Sequence, residues 1–281
     1  MNSRNEWKNL KPIKLGIIGC GLAARHLHWP VLQKLSDKFE IKSICNNSKP
    51  KAESFAHLVG DVPYFLDYHD LLQDSEIEAV DITLPIPLNY QVTKDALHAG
   101  KHVIVEKPLA ANLEDAKKML HFSDEFPYIM MVAENYYYHP VFLELKTIIH
   151  AGMIGTPYAV SWDIFRYVDS DNKYAKTEWR IHHQYPGGFI TDGGIHNIAA
   201  LHFLFGKIVS GNAFTKSINP EIGEIDSFSF QFETESGVSG TLKIFTMQFE
   251  PVSRLTAPLL KLIVTSKCYS VPSILLKIVK P

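Results

Sequence analysis

The sequence predicts an α/β Rossmann domain, a doubly wound parallel sheet, followed by an α+β domain with an open, mostly antiparallel sheet. Three observations carry this expectation. Short apolar runs alternate with helical stretches from Ile13 to Glu134; the first run ends in a glycine-rich turn; and after about Asn135 the rhythm shifts to longer runs rich in β-branched and aromatic residues. The expected division is a Rossmann domain over residues 1–135 and an α+β domain over 136–281.

Ile13–Gly19 (IKLGIIG) is the apolar run of a strand buried on both faces. A helix follows from Leu22 to about Leu35, with Pro30 expected to kink or stop it. Glu40–Cys45 reads as a strand, Lys51–Leu58 as a helix, Tyr64–Phe65 as a short strand and Asp67–Leu72 as a helix. Ala79–Leu84, His102–Glu106 and Tyr128–Glu134 are further strands, separated by helices at Tyr90–Ala99 and Leu113–Asp124. Beyond them lie a helix at Val141–Ala151, a long strand at Tyr158–Val168 and a helix from about Ile195 to Phe205. Strands are expected near Gly211–Lys216, Ile225–Glu233 and Gly237–Phe249, and the tail Leu259–Pro281 is very apolar with little pattern.

Composition narrows the function classes. With 46% hydrophobic and 21% charged residues, the chain of 281 has the make-up of an ordinary globular protein. A net charge of −2 supplies no long-range attraction to nucleic acid or an anionic membrane, so neither is an expected partner. Cys20, Cys45 and Cys268 are dispersed, which argues against a disulfide framework and a structural zinc site and fits a reducing cytoplasm. The N-terminus is polar, and no apolar run reaches the ~18 residues a bilayer span needs.

Gly19-Cys20-Gly21-Leu22-Ala23-Ala24 is a GxGxxA turn placed between a strand and a helix. Gly19 permits the tight bend, Gly21 lets backbone approach a pyrophosphate, and Ala24 lets helix pack on strand. The helix tip favours negative charge, so the expected ligand is a dinucleotide, NAD or NADP. The second strand normally ends in an acid that holds the adenosine ribose. Here it ends Cys45-Asn46-Asn47-Ser48-Lys49. Asn47 does not repel a 2′-phosphate, and Ser48 and Lys49 can bind one, which tilts the expectation towards NADP.

Lys107, in Glu106-Lys107-Pro108, closes a strand at the carboxyl edge where open α/β sheets bind ligands. It can donate to a substrate oxygen and take part in proton transfer, or it can be a surface lysine paired with Glu106. Asp192 and His196 are four apart at a predicted helix start and so share a face. His196 suits hydroxyl proton transfer, with Asp192 orienting it or holding substrate; the structural alternatives are a helix cap for Asp192 and a core histidine for His196. A metal site built from His182, His183, His196 and Asp192 is disfavoured, because adjacent histidines do not match zinc spacing, and no metal is expected. The Tyr136-Tyr137-Tyr138-His139 run lacks the basic stripe of a nucleic-acid platform.

IGCGLAARH, AGKHVIVEKPLA, AENYYYHP, Trp179-Arg180 and GGFITDGGIH follow in an order and spacing that resemble the Gfo/Idh/MocA oxidoreductases, to about Phe249. The resemblance implies a nicotinamide-dependent oxidoreductase acting on a sugar, polyol or related hydroxyl or carbonyl substrate. It places Lys107 and His196 in proton transfer beside the nicotinamide, with Asp192 as a substrate-binding partner. It also implies Pro85 over the cofactor, Glu106 near its ribose, Asn135 at the nicotinamide end and, more weakly, Arg180 towards substrate. A homo-oligomer through the C-terminal sheet is a further implication. The chain departs from the family pattern at Asn89, Tyr137 and Ala199, and its end matches poorly, which raises a truncated, inactive member as one alternative. A non-catalytic dinucleotide-binding regulator is another, and joint retention of Lys107, Asp192 and His196 favours the enzyme.

Overall fold

The computed structural model describes residues 11–168, 172–174, 176–219, 225–247, 259–264 and 267–272. The chain divides into two compact units, Met1–Ala133 and Glu134–Pro281.

In the first unit, β1 (Ile13–Ile18), β2 (Phe39–Cys45), β3 (Tyr64–Phe65), β4 (Ala79–Ile82), β5 (His102–Val105) and β6 (Met130–Val132) form one sheet. Its order is β3-β2-β1-β4-β5-β6, and every neighbouring pair is parallel. The order in which the chain adds strands to the sheet reverses between β1 and β4, so a crevice opens beyond their carboxyl ends. Period-two alternation sends successive side chains to opposite faces. Ile17 and Ile44 pack with Phe55 and Ala52 of α2 (Lys49–Leu58), whereas Ile18, Val80, Ile82 and Val105 pack with Val92 and Leu97 of α4 (Asn89–His98). Both faces are therefore covered, which explains the continuous apolar strands.

The first helix, α1 (residues 22–35), does not stop at Pro30. A π turn at Ala24–His28 leads into α-helical Trp29–Leu32 and a 3-10 turn at Gln33–Leu35. Proline has no N–H and crowds the carbonyl four residues back; widening the turn before it lets the helix continue. The stretch expected as one helix over Leu113–Asp124 is instead two, α5 (Leu113–Leu120) and α6 (Phe122–Glu125). Between β3 and β4, α3 (Tyr68–Gln73) is capped by Asp67, whose carboxylate accepts from the His69 N–H.

The second unit contains α7 (Pro140–His150), β7 (Pro157–Tyr167), α8 (Glu178–Ile181) and α9 (Gly188–Phe205), followed by β8 (Ile208–Lys216), β9 (Ser227–Thr234), β10 (Ser239–Met247), β11 (Leu259–Val264) and β12 (Lys267–Pro272). The strands form a mixed sheet, β12-β11-β7-β10-β9-β8, in which only β7 and β10 pair in parallel. Val160, Trp162 and Ile164 alternate inward on β7 and meet Leu242 and Ile244 of β10, Leu201 and Leu204 of α9, and Phe142 of α7. On the opposite face the β7–β10 register sets Thr241 against Ser161 and Lys243 against Asp163, whose ion pair measures 3.4 Å.

Two expectations change here. The helix expected from Ile195 begins at Gly188, so Asp192 lies inside it and is no helix cap; Gly187, at φ 85°, holds the capping position. Gly194 lies where sheet and helix meet: a Cβ there would sit 3.1 Å from Ile244 Cδ1, a tight contact. The apolar tail read as unpatterned supplies β11 and β12, so the sheet continues past β7. Gln248 and Phe249 of the expected last strand, the polar N-terminus 1–10 and the tail from 273 lie outside the described residues.

Leu201 is fully buried at the centre of the second core. Leu201→Ala is expected to cost roughly 2–5 kcal/mol, read as a lower denaturant midpoint at unchanged slope.

Candidate functional site

In the first unit the predicted nucleotide-binding residues gather at the carboxyl ends of β1, β2, β4 and β5. Gly19 leaves β1 at φ +105°, and a Cβ there would stand 2.5 Å from the Thr83 carbonyl oxygen. Only glycine fits such a bend. Three hydrogen bonds fix it: the Gly19 N–H donates to Cys45 O at 2.8 Å, Thr83 Oγ1 donates to Gly19 O at 2.8 Å, and the Cys20 N–H donates to Asn46 Oδ1 at 3.2 Å. Gly21, by contrast, is exposed, and a Cβ there would meet nothing within 4 Å. That open backbone at the tip of α1 has room for a diphosphate, and Ala24, fully buried, lets the helix close on the sheet. The residues present fit a dinucleotide.

Asn47 and Lys49 are exposed at the end of β2, and Ser48 is the N-terminal flank of α2 without using its side chain as a cap. Lys49 Nζ lies 3.6 Å from Glu53, an exposed pair that holds it weakly. Sequence reading missed two supports of this corner. Asn46 ties the glycine bend to β2, and Arg25 donates from Nε to Cys20 O and from Nη2 to Lys51 O, each at 3.2 Å, while lying over the Phe55 ring. The Cys20 thiol is buried beneath the bend, and burial pushes it up to about 12, so it is no thiolate nucleophile.

Pro85 flanks a 3-10 turn, Ile86–Leu88, beyond β4. Lys107 follows β5 and is half-buried. Its backbone N–H donates to Glu106 Oε2 at 3.0 Å, and the Lys107–Pro108 bond is cis. Asn89, one of the departures from the family pattern, is fully buried and clamps this turn from both sides. Its Nδ2 donates to Glu106 O and to Pro108 O, each at 2.9 Å.

In the second unit His196 lies on α9, one turn beyond Asp192, yet the two carboxylate roles separate. His196 Nδ1 faces both oxygens of buried Glu134, at 2.7 and 2.9 Å, rather than Asp192. The same carboxylate accepts the Tyr136 N–H at 3.0 Å, and the Tyr136 ring stacks on His196 with centroids 4.8 Å apart. An ionised carboxylate only accepts, so Nδ1 carries the proton and a neutral ring presents Nε2 as its acceptor. Glu134 went unnoticed in the sequence, where AEN reads as the end of a strand.

Asp192 pairs with Arg180 of α8, its Oδ2 2.6 Å from Nε. The guanidinium lies 4.0 Å over the Trp179 ring and 5.3 Å from that of Tyr174. Tyr185 is buried nearby; burial and the Asp192 charge both raise its phenol above the ordinary range, keeping it a neutral hydrogen-bonding group. Tyr137, another departure, sets its ring edge-on to Phe203 at 5.4 Å, while Asn135 is exposed and Ala199 lies within α9. Among the described residues no group of three potential ligands is placed to hold a metal ion, and no helix is long and apolar enough to cross a membrane.

Comparison with known proteins matches this architecture at both ends. Residues 13–134 match the model of the oxidoreductase family with an NAD-binding Rossmann fold, GFO/IDH/MocA, and residues 142–256 match the GFO/IDH/MocA C-terminal domain. An uncharacterized Saccharomyces cerevisiae protein is 36% identical over 77% of this chain and 62% of its own length. The scyllo-inositol 2-dehydrogenase (NADP+) of Bacillus subtilis is 30% identical over 76% of this chain and 58% of its own. The chain thus spans about three-fifths of the curated relatives it matches. The crystal structure of an oxidoreductase from Thermotoga maritima superposes with a TM-score of 0.84 at 35% identity, covering 93% of this chain and 83% of that one. The chain belongs to the GFO/IDH/MocA oxidoreductase family, with an NAD(P)-binding Rossmann domain preceding the family's C-terminal domain.

Proposed function

We propose that this chain is an NAD(P)-dependent dehydrogenase that moves a hydride between the nicotinamide and a carbon bearing a hydroxyl group in a sugar, polyol or related substrate. The observation that carries the reading is the Gly19–Gly21 bend at the β1/β4 switch with Lys107 two strands away at the same sheet edge. The bound nicotinamide supplies the hydride acceptor. In the oxidative direction the substrate C–H and O–H bonds break and a carbonyl forms. Each unit offers one group able to hold or move the hydroxyl proton: Lys107 in the first and, in the second, His196 through Nε2 because Glu134 holds Nδ1.

Side chains of the second unit support this substrate class. Arg180 and Asp192 offer a donor and an acceptor to hydroxyl groups, and Trp179 and Tyr174 offer ring faces to the C–H side of a sugar or cyclitol. The Bacillus relative, an NADP+-dependent inositol dehydrogenase, supports the same class. For the cofactor, Asn47, Ser48 and Lys49 in place of an acid favour the 2′-phosphate of NADP.

A turnover screen of polyols and sugars with NADP+ and NAD+ tests the reading; production of reduced cofactor with at least one cyclitol or sugar is expected, and silence across the panel contradicts it. Lys107→Ala is expected to lower kcat by roughly 10²–10⁴-fold while cofactor affinity stays within several-fold, measured by steady-state kinetics and NADPH fluorescence. Glu134→Gln, which frees the His196 tautomer, should lower kcat more than it raises KM. Gly19→Ala must force a β-carbon against Thr83 at an unfavourable φ, and NADPH fluorescence titration should show at least tenfold weaker binding together with a loss of about 1–3 kcal/mol of stability.

A further inference from the structure

Asp81 sits in β4 between two buried aliphatic residues, where a strand within a parallel sheet should carry no charge. An unpaired carboxylate there would be very costly. Its partner comes from α1. His28, in the π turn, sets Nδ1 2.8 Å from Asp81 Oδ2 and Nε2 2.9 Å from Glu106 Oε1. Both carboxylates are largely shielded from solvent.

A neutral imidazole has one N–H and one lone pair, so it can satisfy only one of two flanking carboxylates. Two carboxylates at hydrogen-bond distance from both ring nitrogens require a proton on each. The charged groups facing the ring are Asp81 and Glu106. Burial opposes the charged ring, yet the hydrogen bonds and charges of the two acids outweigh it and lift His28 to about 10.

The bridge continues towards Lys107. Glu106 has one carboxylate oxygen on His28 and the other on the Lys107 N–H, while its carbonyl is held by Asn89. We infer that His28 is a positioning residue: an imidazolium that joins Asp81 to Glu106, links the phosphate-loop helix to the end of β5, and fixes the turn that carries Lys107. The role of that turn in turnover rests on the proposed dehydrogenase reading; the bridge itself does not.

If His28 is replaced by a neutral residue, two shielded carboxylates lose their shared cation. One must take up a proton, and the Glu106 contact to the Lys107 N–H weakens whenever that proton resides on Glu106. His28→Gln is therefore expected to lower kcat at least tenfold near neutral pH. Activity should recover as pH rises and the acid ionises, a limb absent from the unaltered enzyme. Adding Asp81→Asn removes the competing charge and should flatten that limb and restore part of kcat. NADPH affinity should stay within several-fold, because Asn46 and Thr83 hold the glycine bend independently. A loss that is uniform across pH and not relieved by Asp81→Asn overturns the positioning role, as does an unchanged kcat.

The unaltered protein gives a test that needs neither turnover nor a foldable variant. In 15N-labelled protein both His28 ring nitrogens should be protonated at pH 8, with a titration midpoint well above that of an ordinary histidine. Titration through that midpoint should shift the Lys107 amide resonance. A His28 ring with one bare nitrogen at pH 8 overturns the inference. Absence of turnover in the unaltered enzyme with these signals present would overturn the dehydrogenase reading and leave the bridge standing.

Discussion

The carboxyl edge of the N-terminal sheet is organised by one backbone bend. Gly19 turns the chain out of β1 at φ +105° with Thr83, just beyond β4, pressed where a side chain would be, and its hydrogen bonds reach β2 and the segment after β4. The bend puts the first N–H groups of α1 beyond the sheet, where they can meet an anion. A larger residue would have to open the β1/β4 contact, and with it the packing of Ile17 and Ile18 on the two faces.

Around that edge, and in the second unit, the same device recurs. Three of the side chains offered for positioning, chemistry or binding are held by shielded carboxylates: His28 by Asp81 and Glu106, His196 by Glu134, Arg180 by Asp192. In a poorly solvated site an ion pair of this kind adds little net stability, because desolvation offsets attraction. Its value lies in fixed geometry. Side chains already aimed and protonated need no reorganisation when charge develops in a reaction.

Much of the fold was legible because parallel strands buried on both faces leave continuous aliphatic runs, and each run from IKLGII to Tyr128–Glu134 contains a strand of the sheet, although the last is trimmed to Met130–Val132. What misled was local propensity where packing decides. The start of α9 was expected near Ile195 and Pro30 was expected to kink or stop α1, yet α9 begins at Gly188, with Gly194 close against Ile244, and α1 passes Pro30 through a widened turn. The tail showed little pattern because its apolar and polar residues do not alternate strictly, and pairing with β7 is a long-range fact no local window holds. At the site, motif spacing exposed Gly19, Gly21, Lys107, Asp192 and His196. It did not expose Asn46, Glu134 or His28, whose roles exist only once strands and helices distant in sequence meet. Asp81 was the one signal available, a charge inside an aliphatic strand that had to find a partner.

Isothermal titration calorimetry of the purified chain with NADP+ and with NAD+ tests most directly whether the glycine bend seats a dinucleotide. Saturable one-to-one binding, tighter for NADP+, is the expected result. Folded protein that gives no binding heat and no displacement of a fluorescent nucleotide with either cofactor would contradict it.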